Sequence, residues 1–272
     1  LVLSATVRTA WRHARLGGWL AGAVWLCATP GAQAQAPAAP AVALASALAD
    51  PPPGMPAPPE IAARGFILQD LGSQQTLAAH QPDQSVPPAS LTKLMTAYLV
   101  CQAVDAGQLR WDQRLPLSER AWRAAIGSGA RALAPVGAQL TVTELLRGMA
   151  VLGANDAAVA LAEGVAGSVD DFVARMNRQA QAWGLKGTQF RNPDGQTVSG
   201  QVSTPRELAW IAVRLLTEHP QVLDHTRQPS LTLGGVKQAS NNLLLLRDPS
   251  VDGLQVAYAE RLGYAMVATS RR

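Results

Sequence analysis

Three helix starts are written into the middle of this chain as side-chain chemistry. Thr141 with Glu144, Ser168 with Asp171 and Thr204 with Glu207 each place a hydroxyl three residues ahead of an acid, the spacing that satisfies the unpaired N–H groups of a first turn. Pro205 is pre-set for a first helical position, and Gly153, Gly167 and Gly184 stand where helices would end. These signals predict helices over "TVTELLRGMAVL", "NDAAVALAEGVAG", "VDDFVARMNRQAQAWG" and "STPRELAWIAVRLLTEH". A further helix starts near Ser90, with Leu91, Leu94, Met95, Tyr98 and Leu99 spaced to cover one face. On either side the pattern shortens. "RGFILQDLGSQQTLAAH" reads as two strands about a turn at Gly72 and Ser73, and "PSLTLGG" and "GLQVAYAERLGYAMVATS" read as strands. "GSGARALAPVGAQL" reads as loop and "TQFRNPDGQ" as a turn region. Strands at both ends of a helical middle can share one sheet, so the class expected is α+β.

The N-terminal segment has a different character. "VRTAWRHAR" is basic, "LGGWLAGAVWLCA" is a short apolar run, and "TPGAQAQA" offers small residues, so residues 1–34 read as a secretory leader cleaved after Ala34. The apolar run is short for a membrane span. Residues 35–60 are rich in Ala and Pro and read as a spacer; the folded domain is expected over 61–272. The mature chain is expected to be exported to the periplasm or cell envelope, without a strong membrane anchor.

Composition narrows the function. Beyond residue 34 the chain carries 20 Lys and Arg against 19 Asp and Glu, with no basic stripe to suggest nucleic acid. Cys101 is then the only thiol, so no intrachain disulfide is expected, and its apolar neighbours predict a buried small side chain. His13, His80, His219 and His225 are scattered without ligand spacing, which argues against a metal site. Trp111, Trp122, Trp183 and Trp210 read as packing residues.

One pair carries chemistry. Only three lysines occur against twenty arginines, and Lys93 stands three residues after Ser90, on the same helical face. Serine needs a base to act as a nucleophile. A desolvated lysine can supply one, whereas an arginine stays charged. Alone, the pair reads equally as a capping serine and a surface lysine.

The surrounding sequence resembles the D-alanyl-D-alanine carboxypeptidases, the low-molecular-mass penicillin-binding proteins. "VPPASLTKLMTAYLV" is similar to their Ser-x-x-Lys segment. The likeness continues in order through "AWRAAIGSGAR", "ELLRGMAVLGANDAAVALAEGVAGS", "FVARMNRQAQAWGLKGTQFRNPDG", "STPRELA" and "RDPSVDGL", about 210 residues in all. The resemblance implies a β-lactamase/transpeptidase-like α+β fold, an antiparallel sheet of N- and C-terminal strands packed against a mostly helical middle. It implies Ser90 as acyl-ester nucleophile, Lys93 as general base, and Asn155 as hydrogen-bond partner of the substrate backbone and Lys93. A strand carrying Gln255 and Tyr258 would line the substrate cleft, the backbone N–H groups of Ser90 and Tyr258 forming the oxyanion hole. Peptidoglycan stem peptides would be the substrate, β-lactams covalent ligands, and no cofactor or metal is implied.

The chain departs from that pattern at two motifs. Gly153-Ala154-Asn155 stands where the family has Ser-Gly-Asn or Ser-Ala-Asn, removing a hydroxyl that would relay a proton. A water in the vacated space could restore part of that relay. Gln255-Val256-Ala257 replaces Lys-Thr-Gly, removing the cation and hydroxyl that hold a substrate carboxylate in the family. The family also continues with a further strand and helix, so the sheet is expected to lack an edge partner. Two readings remain open at this stage: a working D-Ala-D-Ala carboxypeptidase, and an impaired relative or remnant that at most binds peptidoglycan or β-lactams.

Overall fold

The structure is a computed structural model that describes residues 2–4, 48–55, 57–127, 133–259 and 263–271. The charged and apolar parts of the expected leader, its cleavage position and the spacer up to residue 47 lie outside these residues. The strands are β1 Val2–Ser4, β2 Phe66–Asp70, β3 Gln75–His80, β4 Arg114–Pro116, β5 Gln139–Thr141, β6 Ser230–Leu233, β7 Val236–Ala239, β8 Val251–Ala259 and β9 Gly263–Ser270. The longer helices are α1 Lys93–Asp105, α2 Glu119–Gly127, α3 Val142–Leu152, α4 Asn155–Ala166, α5 Val169–Ala182 and α6 Pro205–Glu218.

The main sheet runs β3-β2-β1-β9-β8, so strands from both ends of the sequence do share it. The helical middle packs on the face that carries Ile67, Ala257 and Val267, all buried. β2–β3 and β8–β9 are antiparallel hairpins. β1 is parallel to both neighbours, with Val2 opposite Leu68 on one side and Ala268 on the other. Three residues of the segment read as a leader thus fill an interior position between β2 and β9. "PSLTLGG" does not join this sheet. It forms its own two-stranded ribbon, β6–β7, as do β4 and β5. The latter pair and helix α2 were not read in the sequence: three-residue strands are too short for a period.

The caps form as written, with one change. Thr141 accepts from Glu144 N at 3.1 Å while Thr141 N donates to the Glu144 carboxylate at 2.8 Å, and this holds Glu144 below the usual carboxylate range. Ser168 and Thr204 cap α5 and α6 through Asp171 N and Glu207 N. Glu207 does not close its box. Its carboxylate accepts from Gly187 N at 2.9 Å and Thr188 Oγ1 at 2.5 Å, tying α6 to the turn ahead of the "NPDG" loop.

Helix α1 is buried on all sides rather than along one face: Leu94 through Cys101 are all buried. A helix apolar all round belongs in a core interior, and α4 and α6 pack against α1. Burial pushes the Cys101 thiol up to about 12, so it behaves as the small hydrophobe expected. Trp183 packs edge-on against Tyr98 and Trp111 lies against His225, so these tryptophans pack rather than line an open groove. Leu48 is also buried, and Arg206 donates to its carbonyl and to Asp50 and Asp83.

Candidate active site

Ser90 lies in a 3₁₀ turn, Ala89–Thr92, immediately ahead of α1, and not in the first turn of the α-helix itself. Pro87 and Pro88 lead into the turn, and Ala89 has φ of +47°, a left-handed conformation costly for a residue with a Cβ. The strain is held by the loop after α5. Gly195 presses so closely that a Cβ added to it would lie 2.0 Å from the Ala89 carbonyl oxygen and 2.9 Å from Ser90 Cα.

Lys93, the first residue of α1, is 1% exposed. Its ammonium donates to Ser90 Oγ at 3.2 Å, Asn155 Oδ1 at 2.7 Å and the Asp194 carbonyl at 2.5 Å. Burial dominates its titration and lowers it from 10.5 to about 8, against the opposing pull of the Asp194 and Asp156 carboxylates. An amine poised near 8 is neutral in a useful fraction at ordinary pH. In that form the amine, 3.2 Å from Ser90 Oγ, can take a proton off the serine.

Asn155 opens α4, right after the Gly153 cap of α3. Next to it, Asp156 is fully buried and accepts from Leu133 N and from Ala157 N at 2.9 Å; burial pushes its carboxyl up. Gly153 has φ of +71°, and an added Cβ would lie 3.1 Å from Asn241 Nδ2, whose amide donates to Leu152 O at 2.8 Å, so one exposed asparagine from another segment borders that side.

β8 packs against the Ser90 turn and is an edge strand of the sheet among the described residues, where Asn242 and Thr226 donate to the Gly253 and Asp252 carbonyls. Gln255, 5% exposed, donates to Val256 O at 3.0 Å, and Ala257 is buried beside it. The Tyr258 side chain points away to solvent and stacks on Tyr264 at 4.8 Å, leaving only its backbone for the site. Ser90, Lys93 and Asn155 are thus brought together, with β8, which carries Gln255 and Tyr258, beside their turn. No local signal marks Asp156, Asn241 or the approach of Asp194 and Gly195 to the Ser90 turn. "NPDG" marked a turn, but nothing in its spacing pointed at Lys93. Among the described residues no group of three or more His, Cys, Asp or Glu could hold a metal, and no helix is long and apolar enough to cross a membrane.

The family model described as D-alanyl-D-alanine carboxypeptidase, peptidase S11, matches residues 53–272. The D-alanyl-D-alanine carboxypeptidase DacA of Haemophilus influenzae is 35% identical over 214 residues, 78% of this chain and 54% of that protein. The D-alanyl-D-alanine endopeptidase of Pseudomonas aeruginosa is 30% identical over 231 residues, 80% of this chain and 71% of that protein. Among solved structures, penicillin binding protein 5 of Haemophilus influenzae superposes with a TM-score of 0.74 at 34% identity, covering 78% of this chain and 62% of that one. Penicillin-binding protein D2 of Listeria monocytogenes, in its ampicillin-bound form, gives 0.66 at 32%, covering 79% and 87%. This chain spans about half the length of the curated carboxypeptidases it matches. By sequence and fold, the chain belongs to the peptidase S11 family of D-alanyl-D-alanine carboxypeptidases.

Proposed function

We propose that the chain is a serine acyl-transfer hydrolase that cleaves at a D-alanyl carbonyl of peptidoglycan stem peptides, the family reaction being release of the terminal D-Ala. The observation that carries this reading is Lys93, buried, shifted to about 8 and 3.2 Å from Ser90 Oγ. Ser90 Oγ attacks the carbonyl as Lys93 takes its proton. The C–N bond breaks, the proton passes to the departing amine, and water hydrolyses the acyl-enzyme. The backbone N–H groups of Ser90 and Tyr258 are assigned to the developing oxyanion. Asn155 fixes Lys93 and offers its amide N–H to the peptide backbone. The edge of β8 can pair with an extended peptide. No step calls for a metal or cofactor.

β-Lactams would acylate the same serine, as the ampicillin- and cefotaxime-bound relatives suggest. The basic-then-apolar N-terminal segment supports export to the cell envelope, where stem peptides are met. The test is covalent labelling by a fluorescent penicillin on a denaturing gel. Label that disappears in Ser90→Ala is expected; a folded protein that takes no label would sink the acyl-transfer reading.

A further inference from the structure

Lys93 opens α1, and the other end of the same helix borders a cavity that takes no part in the chemistry above. The cavity measures about 170 Å³ and lies where the last turns of α1 and α4 meet the flank of α5. Leu99 and Ala103, each 4% exposed, form its floor with the half-buried Val165. Gln102 and Gln108 stand at its rim, and the half-buried Arg175 reaches it from α5. Among the described residues, neither glutamine side chain nor the Arg175 guanidinium has a hydrogen-bond or ion-pair partner. Asp171, the acid one turn earlier on α5, accepts from Ser168 Oγ instead.

Each part of this lining favours a different group. A guanidinium without a partner holds a carboxylate through paired N–H donors. Helix C-termini carry partial negative charge, which favours a cation and opposes a bare anion, and the glutamine amide oxygens are acceptors for an ammonium. Leu99, Ala103 and Val165 offer apolar contact to a short hydrocarbon group. A lone amine is therefore opposed by Arg175, and a lone carboxylate by the two helix ends. A molecule that carries both charges meets neither opposition. Size sets a further limit: a cavity of about 150 Å³ takes a six-carbon ring, so this one takes about six or seven non-hydrogen atoms.

We propose that this cavity binds a small zwitterionic amino acid with a short apolar side chain. Its carboxylate sits on Arg175, its ammonium between the Gln102 and Gln108 amides at the helix ends, and its side chain against Leu99 and Val165. The site stands apart from the Ser90 cleft and does not rest on the acyl-transfer reading. The reaction proposed there nevertheless releases a molecule of this class, D-alanine, which is the natural ligand to try first.

The test titrates the isotope-labelled full chain with D-alanine and follows its amide signals by NMR. The expected result is saturable movement of the Gln102 and Gln108 side-chain amides and of the backbone amides from Ala103 to Gln108. The Kd should be about 1–10 mM, within reach of a ligand of about six atoms. Propionate lacks the ammonium and ethylamine lacks the carboxylate, and each should bind about tenfold or more weakly, the effect of losing a charged hydrogen bond. Shifts confined to residues around Ser90, or no saturable shift up to about 100 mM, would overturn the site. Propionate or ethylamine binding as tightly as D-alanine would overturn the ligand class. These comparisons use the wild-type chain and hold even if a variant does not fold. Arg175→Gln should weaken D-alanine binding by about tenfold or more, and a folded Arg175→Gln that binds it undiminished would overturn the assignment.

Discussion

Asn155 Oδ1 accepts from Lys93 Nζ at 2.7 Å across a separation of 62 residues. That contact joins the start of α4 to the start of α1 and orients the base. Removing it leaves a buried ammonium one partner short, a loss of about 1–3 kcal/mol. Asn155→Ala is therefore expected to slow acylation by a fluorescent penicillin by about ten- to a hundredfold, with the fold retained by circular dichroism. Acylation at the wild-type rate would remove Asn155 from the site.

The titration of Lys93 gives a pH test with a definite sign. Its ammonium form is inactive as a base, so acylation should rise with pH through about 8. Asp194 opposes the downward shift, as does Asp156. Asp194→Asn keeps the carbonyl that receives Lys93 and an acceptor for Gln196, but removes the charge. The limb should therefore move to lower pH. Stability follows the same group: the folded value lies below the unfolded 10.5, so the unfolded chain holds more protons between about 8 and 10.5 and stability from Lys93 rises with pH across that window. An acid limb that Asp194→Asn leaves in place, or moves upward, would contradict this account.

What could be read from the sequence and what could not divide along physical lines. Caps are local, three residues long, and Thr141–Glu144, Ser168–Asp171 and Thr204–Glu207 marked helix starts correctly. Ser90 and Lys93 were found because they lie one turn apart. Asp156, Asn241 and Gly195 reach the site through contacts that tertiary folding alone creates, across separations on which periodicity is silent. The Glu207 carboxylate shows the limit of a local rule: a better-placed pair of donors, Gly187 N and Thr188 Oγ1, outcompetes the cap's own backbone N–H. Burial of α1 all round was hidden for the same reason, since sequence shows the apolar residues but not how many neighbours surround them.

Gly195 supports the strained Ala89 by contact, and its φ of +83° favours glycine. Gly195→Ala would drive a methyl into the Ala89 carbonyl at 2.0 Å, a backbone atom that cannot swing aside. A loss of at least about 2 kcal/mol is expected, from overpacking and the left-handed backbone together. Thermal unfolding and penicillin labelling should both report it, labelling falling more than the fraction unfolded explains because Ser90 is displaced. A variant with unchanged melting temperature and labelling would show that the Gly195–Ala89 contact is not needed.

Restoring a hydroxyl at Gly153 is expected to fail on its own. The left-handed backbone there costs a residue with a Cβ about 1–2 kcal/mol, and Asn241 Nδ2 leaves only 3.1 Å for that atom. Gly153→Ser should lower the melting temperature and leave acylation within a few-fold of wild type. Combined with Asn241→Ala, which clears the side chain, the serine should gain acylation over Asn241→Ala alone. A large gain from the single Gly153→Ser change would mean that Asn241 gives way freely.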